Sequence, residues 1–496
     1  MGKLIAALDQ GTSSTRLALF DGDGALVVSA QREHRQIHPG AGLVEHDALE
    51  IWERAQQVIA DALAQTDARD VAALGITNQR ETVVVWERES GRPVHNAIVW
   101  QDTRTAELMR ELAGDAGPDR LRATTGLPLS TYFSGPKIAW ILDAVPGARQ
   151  RAAAGELACG TVDSWLLWQL TAGAVHATDV TNASRTLLMD LSTLDWDEEA
   201  LALIGVPAAI LPRIAPSAAL HGEVARGPLA GCPVAALVGD QQASLFGQAC
   251  FAAGDAKCTY GTGAFLLVNT GRDRVASAGL LTTVAARVGD EPATYALEGS
   301  IAVAGSAVQW LRDKLGIIAS AGDVEALAAS VADNGGVYFV PAFSGLFAPR
   351  WREDARGTIV GLTAFAGAGH LARATLEASC WQTREVVDEA TAKAGVALPE
   401  LRVDGGMTAD SLLMQLLADA LGLPVVRSEV RETTALGTAF AAGLAVDAWP
   451  GRDALGGLLR SDGRFEPELE ADLREQRYAT WRAAVERSLD WPPRRA

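Results

Sequence analysis

Cysteines are few and scattered. Cys159, Cys232, Cys250, Cys258 and Cys380 show no Cys-x-x-Cys spacing and make an odd total. That excludes a disulfide framework and the common zinc patterns, and predicts buried, reduced thiols. Uncharged apolar runs are also short, none reaching the roughly 18 residues a membrane-spanning helix needs. The N-terminus passes straight into a strand pattern, without a basic stretch followed by a signal-type apolar segment. A cytoplasmic protein with no membrane insertion is expected. Positive charge is the minority: 43 Lys and Arg against 61 Asp and Glu give a formal net charge of −18. Such a chain has no general attraction for nucleic acid, so any phosphate ligand must be gripped locally. No Gly-x-x-x-x-Gly-Lys-[Ser/Thr] motif occurs, which excludes a P-loop. His34 and His38 have the spacing of helical metal ligands, but Pro39-Gly40 follows them, so both are expected at the surface. Low-complexity linkers are lacking as well.

What is present is an ordinary globular composition, 48% hydrophobic and 21% charged, spread over 496 residues, too many for one core. Two segments half a chain apart share one design: "LIAALDQGTSSTRLALF" at Leu4 to Phe20 and "DAKCTYGTGAFLLVNT" at Asp255 to Thr270. In each, a strand reaches a Gly-Thr turn and a second strand leaves it. Small residues there let backbone N–H groups approach an anion, and the hydroxyls add donors. The pair reads as a duplicated phosphate grip.

Strand and helix patterns alternate around these turns. A third strand follows the "DGDG" turn at Asp21 to Gly24, and Asp47 is placed to cap the helix "ALEIWERAQQVIADALA". Further on, the pattern predicts a helix after Gly305, a long helix from His370 to about Lys393, a strand at Leu401 to Val403, and helices from Ala409 and Thr433. The expectation is an α/β protein of two large domains, 1–248 and 249–496, with the Gly- and Ala-rich stretch 247–254 as hinge.

Certain side chains at strand ends could carry chemistry. Asp9, beside Gly11, Thr12, Ser13 and Ser14, could hold a hydrated magnesium ion near phosphate, or simply fix the turn. Arg80 and Glu81 in "GITNQRET" are either a solvated edge or a pair that donates to and accepts from polyol hydroxyls. Asp240 and Gln241 in "LVGDQQASLFGQ" sit where a carboxylate could take a proton from an attacking hydroxyl, or cap a helix. Trp100 could wall a pocket. Gly405 and Gly406 could let a base or ribose lie against the backbone.

Taken together, "ALDQGTSSTR", "GITNQRET", "NAIVWQDTRT", "TYFSGPKIAWILD", "GTVDSWLLWQLT", "TDVTNASRT", "GDQQASLFGQ", "TYGTGAFLL", "YALEGSIAVAGSAVQWLRD", "RVDGG" and "VRETTALGTA" resemble the FGGY family of carbohydrate kinases from Leu4 to about Trp481. The resemblance implies two actin-like ATPase (ribonuclease H-like) domains flanking a cleft. It also implies ATP-dependent phosphorylation of glycerol to sn-glycerol 3-phosphate with Mg2+, in a homodimer or homotetramer. The polyol pocket it implies comprises Arg80, Glu81, Tyr132, Asp240 and Gln241, with Trp100 and Phe265 against the carbon chain and Asp240 as general base. The implied nucleotide site comprises Thr12, Ser13, Ser14, Arg16, Thr262, Gly305, Gln309, Gly406 and Asp410, with Asp9 beside the metal. Asp410 departs from the family, where an Asn is usual. A kinase of another polyol or sugar such as xylulose or erythritol, and an actin- or chaperone-like nucleotide switch, stand as alternatives.

Overall fold

A computed structural model describes residues 3–492. The strand Leu4–Gln10 is buried on both faces, which is why it reads as a nearly unbroken apolar run. It pairs antiparallel with Ser14–Phe20, which pairs antiparallel with Leu26–Glu33. On its other side it runs parallel to Val71–Asn78, which runs parallel to Pro233–Gly239, and Ala218–Glu223 closes that edge antiparallel. The order across this six-stranded sheet is therefore 218–223, 233–239, 71–78, 4–10, 14–20, 26–33.

The second half repeats the scheme strand for strand. Ala256–Tyr260 pairs antiparallel with Ala264–Gly271, which pairs antiparallel with Thr294–Ile301. On the other side it is parallel to Leu401–Asp404, which is parallel to Val425–Ser428, and Ser461–Phe465 closes the edge antiparallel. One extra strand, Leu281–Ala286, lies outside Thr294–Ile301. This duplicated mixed sheet is the actin-like ATPase fold, and the two Gly-Thr turns occupy equivalent places in the two copies.

Helices cover both sheets. Ala48–Leu63 packs one face of the first through Ala48, Ile51, Ala55, Val58, Ile59 and Ala62, a stripe at helical spacing; the Asp47 carboxylate accepts from the Leu49 and Glu50 amides as expected. The other face is covered by Thr433–Ala445, whose Ala435, Ala439 and Phe440 pack against Ile5, Ala7 and Phe20. A helix from the second half thus completes the core of the first. It crosses Asp240–Gly247 with the two backbones in hard contact. A Cβ on Gly437 would lie 1.8 Å from the Ala243 carbonyl oxygen, and one on Gly247 would lie 2.1 Å from that of Thr433. Gly247, expected to open a flexible hinge, is instead packed against a helix. The long helix Ala368–Ala394 and Ser411–Leu421 fill the core of the second sheet.

All five cysteines are free and buried, and no helix among the described residues is long and apolar enough to cross a membrane. His34 corrects an expectation. It is buried, packed edge-on to His46 at 4.6 Å between ring centroids, because the preceding strand carries it under the first turn, where its amide donates to the Ser13 carbonyl at 3.2 Å.

Candidate active site

Each Gly-hydroxyl turn closes on itself. The Gly11 amide donates to the Ser14 carbonyl at 2.9 Å, and the Gly261 amide to the Gly263 carbonyl at 2.8 Å. The start of the helix Gly305–Trp310 folds over the second turn, with the Gly305 amide donating to the Gly261 carbonyl at 3.0 Å and the Ser306 amide to that of Thr262 at 3.0 Å. A side chain on Gly305 would lie 2.5 Å from the Gly261 oxygen and 3.2 Å from Met407 Sδ, so Thr262, Gly305 and the turn holding Gly406 form one wall. Gln309 is exposed on the helix, one turn beyond Gly305. Asp410 caps Ser411–Leu421 by accepting from the Leu413 amide at 2.8 Å, while its other oxygen is buried and unpartnered. Burial raises its carboxyl to about 6.

Around the first turn, Ser13 is exposed, and the Ser14 hydroxyl accepts from Gln31 Nε2 at 2.8 Å. Arg16 donates to Gln31 Oε1 at 2.8 Å and pairs with Glu432 of the second half, so its guanidinium is already engaged. Thr12 accepts from the indole Nε1 of Trp100 at 3.0 Å.

Trp100 leads to the other residue group. Its ring lies edge-on to Tyr132 at 5.7 Å and to Phe265 at 6.3 Å, gathering aromatic walls from both halves of the chain. Arg80 and Glu81 are buried, which excludes the solvated-edge reading. Glu81 adopts φ of 62°, a costly backbone for a residue with a Cβ, in the tight turn that ends Val71–Asn78. The aliphatic stem of Arg80 lies across Gly239, where a Cβ would meet its Cγ and Cδ at 2.8 Å. This brings Arg80 Nε to 3.1 Å from Asp240 Oδ1, without hydrogen-bond alignment. The Asp240 carboxylate accepts from the Gln241 amide at 2.7 Å rather than from the next turn, so it is not a conventional cap, and 29% of its side chain stays exposed. The structure thus brings Arg80, Glu81, Tyr132, Asp240, Gln241, Trp100 and Phe265 into one cluster, with Thr12 bonded to it.

The electrostatics suit proton transfer. Burial raises the Asp240 carboxyl, and Arg80 and Lys257 oppose that rise. A raised carboxyl is a stronger base, and the cations keep it ionised. Burial raises Glu81 too, against Arg80 and Arg185, and raises the Tyr132 phenol well above its usual range. Asp9 is lifted to about 6 by burial, with Arg16 opposing and Asp240 adding. One carboxylate beside hydroxyl and backbone oxygens is a hard-oxygen set of the kind that suits magnesium shared with phosphates and waters. No group of three or more His, Cys, Asp or Glu side chains that could form a tight protein cage gathers among the described residues.

Three side chains of the cluster escaped the sequence reading. Lys257, fully buried below the second turn, donates to Gln241 Oε1 at 2.5 Å and Thr259 Oγ1 at 2.9 Å. Arg185 donates from Nε to Glu81 Oε1 at 2.6 Å. Glu298 accepts from both Arg80 and Arg185. Arg185 and Glu298 lie in "TDVTNASRT" and "YALEGSI", within two of the segments that carry the family resemblance; the signal for the side chains themselves was charge inside runs otherwise patterned for burial.

Comparison with known proteins agrees with this architecture. Residues 4–247 match the FGGY family of carbohydrate kinases, N-terminal domain, and residues 256–446 match the C-terminal domain. The chain is 57% identical over 497 residues to a glycerol kinase of Chloroflexus aurantiacus, covering 99% of this chain and 100% of that protein. It is 58% identical over 499 residues to a glycerol kinase of Nocardia farcinica, again covering 99% and 100%. Among solved structures, the glycerol kinase of Plasmodium falciparum with ADP superposes with a TM-score of 0.93 at 39% identity, covering 99% of this chain and 100% of that one. The chain belongs to the FGGY family of carbohydrate kinases.

Proposed function

We propose that this kinase transfers the γ-phosphoryl group of ATP to a terminal hydroxyl of glycerol, giving sn-glycerol 3-phosphate and ADP. The observation that carries the reading is the near-full-length identity of 57% to a protein named glycerol kinase. The cluster of Arg80, Glu81 and Asp240 supports it, since buried charged groups reward a small ligand rich in hydroxyls and penalise one that leaves them unpaired.

In this reading Arg80 donates to, and Glu81 accepts from, hydroxyls of glycerol, while Tyr132 and Gln241 complete the polar lining. Trp100 and Phe265 pack the carbon chain. Asp240 accepts the proton of the terminal hydroxyl as that oxygen bonds to the γ-phosphorus and the bond from phosphorus to the β,γ-bridging oxygen breaks, releasing ADP. Thr12, Ser13, Ser14, Arg16 and Thr262 align the phosphates from the two turns, and Gly305, Gln309, Gly406 and Asp410 border the adenosine. Asp9 would hold Mg2+, which neutralises phosphate charge when bound. Aligning donor and acceptor supplies much of the rest of the acceleration.

The test is ADP release from purified protein with ATP and magnesium across glycerol, erythritol and xylulose. Glycerol is expected to give the highest kcat/KM by at least about tenfold, since unpaired buried charges penalise the poorer fit. A preference for another polyol would transfer the substrate assignment, and turnover of ATP independent of any polyol would revive the nucleotide-switch reading.

A further inference from the structure

Glu298 sits in the middle of Thr294–Ile301, a strand of the second sheet, with its side chain fully buried. Its two oxygens receive Arg80 as a fork, Nη1 at 2.5 Å and Nη2 at 3.0 Å, and one of them also receives Arg185 Nη2 at 3.1 Å. Both arginines belong to the first half of the chain. Arg185 is fully buried, reaches Glu81 through Nε at 2.6 Å, and lies 5.7 Å and 5.4 Å over the rings of Tyr132 and Phe133. One carboxylate from the second half therefore joins two cations of the first, and through them the proposed polyol contacts.

We propose that Glu298 is a positioning residue of the polyol pocket, orienting Arg80 directly and Glu81 through Arg185. The proposal rests on the glycerol kinase reading above and deepens it.

Counting donors gives the physical reason. Of the five N–H groups of Arg80, three are engaged: Nη1 serves Gln242 at 3.2 Å and Glu298, and Nη2 gives one to Glu298. The guanidinium is a rigid plane, so fixing both Nη atoms fixes where Nε–H and the last Nη2–H point. Those two remain for a substrate hydroxyl and for Asp240. Glu81 is arranged the same way. Arg185 takes Oε1, and among the described residues no hydrogen bond engages Oε2, which is left to accept from a hydroxyl.

Burial makes the arrangement obligatory. Arg80 and Arg185 keep 2% and 0% of their side chains exposed, and Glu298 and Glu81 are the carboxylates that offset them. Without the Glu298 charge, the strongest remaining acceptor for the Arg80 fork is Asp240, already 3.1 Å from Nε. Arg80 would then turn toward the proposed base and away from the substrate. A purely structural tie between the halves has a different consequence: its loss would weaken glycerol and nucleotide sites together.

The experiment compares the full-length wild type with Glu298→Gln, Glu298→Asp and Arg185→Lys. Glycerol KM and kcat are measured at saturating ATP, ADP affinity by calorimetry, and Tm by scanning calorimetry. Glu298→Gln is expected to raise glycerol KM at least about tenfold and to lower kcat, with ADP affinity within about twofold of wild type. Glu298→Asp, which keeps the charge, should recover part of the loss. Arg185→Lys, which cannot bridge two carboxylates through a planar fork, should raise glycerol KM and likewise spare ADP; it decides the matter if Glu298→Gln does not fold. An unchanged glycerol KM, or parallel losses in glycerol and ADP affinity, would overturn the positioning role. A wild type inert on glycerol but active on another polyol would overturn the substrate reading instead, and the same comparison on that polyol would still decide the role of Glu298.

Discussion

The indole N–H of Trp100 donates to the hydroxyl of Thr12 at 3.0 Å, joining the proposed polyol wall to the first phosphate turn. Trp100→Phe keeps an aromatic face and removes this bond. A single neutral hydrogen bond is worth about 0.5–1.5 kcal/mol, so kcat/KM for ATP is expected to fall about 2- to 12-fold. Trp100→Ala, which also removes the wall, should add a rise in glycerol KM. Steady-state kinetics with each substrate varied in turn checks both, and a Phe variant with unaltered ATP kinetics would leave the bond without a role.

Asp240 keeps 29% of its side chain exposed, with a carboxyl raised by burial and Arg80 at 3.1 Å. Asp240→Asn preserves the shape and removes the base. We expect kcat to fall about 10²- to 10⁴-fold, the usual range for general-base catalysis. ADP affinity, measured by calorimetry, should change little. Turnover near the wild-type rate would take the proton-accepting role away from Asp240.

The crossing of Asp240–Gly247 with Thr433–Ala445 leaves no space at Gly437, where a Cβ would sit 1.8 Å from the Ala243 oxygen. Gly437→Ala should therefore destabilise the protein by about 1–3 kcal/mol or more, as overpacking does. Gly456→Ala is the control, because nothing lies within 4 Å of its added Cβ and the residue is helical. Its Tm should stay level or rise slightly. Equal effects at the two sites would contradict the tight crossing.

Asp163 is buried in the first half beside Thr161 and Thr178, whose hydroxyls donate to it, and near Asp179. Burial, with Asp179 adding, raises its carboxyl from 3.8 to about 7. Between those values the folded chain holds this proton and the unfolded chain does not. The contribution is therefore present in full below about pH 4 and lost as pH rises toward 7. Asp163→Asn, which cannot ionise, should flatten the dependence of Tm on pH between 4 and 7. A variant with the wild-type slope would locate the proton elsewhere.

Much of the fold was legible because its signals are local. The two Gly-Thr turns, the Asp47 cap and the long helix now seen at Ala368–Ala394 each follow from residues close in sequence. The candidate site was legible where a residue ends a strand, as with Arg80, Glu81 and Asp240, because strand ends in α/β sheets face the cleft. His34 was misread because Pro39-Gly40 just after it suggested an exposed loop, while its burial depends on His46, twelve positions along the chain.

By itself, the sequence determined two copies of one supersecondary plan, the residue types of the site, and the absence of disulfide, P-loop and membrane-spanning patterns. Tertiary structure decided which charges meet. Glu298, Arg185 and Lys257 lie within segments patterned for burial, and although those segments stand out in the sequence, nothing local assigns a role to these three side chains. Apart from Thr259 beside Lys257, their partners are 16 to 218 positions away. A buried ion costs too much to stand alone, so each became intelligible only when folding supplied its counter-charge or acceptor. The packing of Thr433–Ala445 onto the first sheet was equally hidden, because it depends on two glycines nearly two hundred residues apart whose missing side chains let the backbones touch.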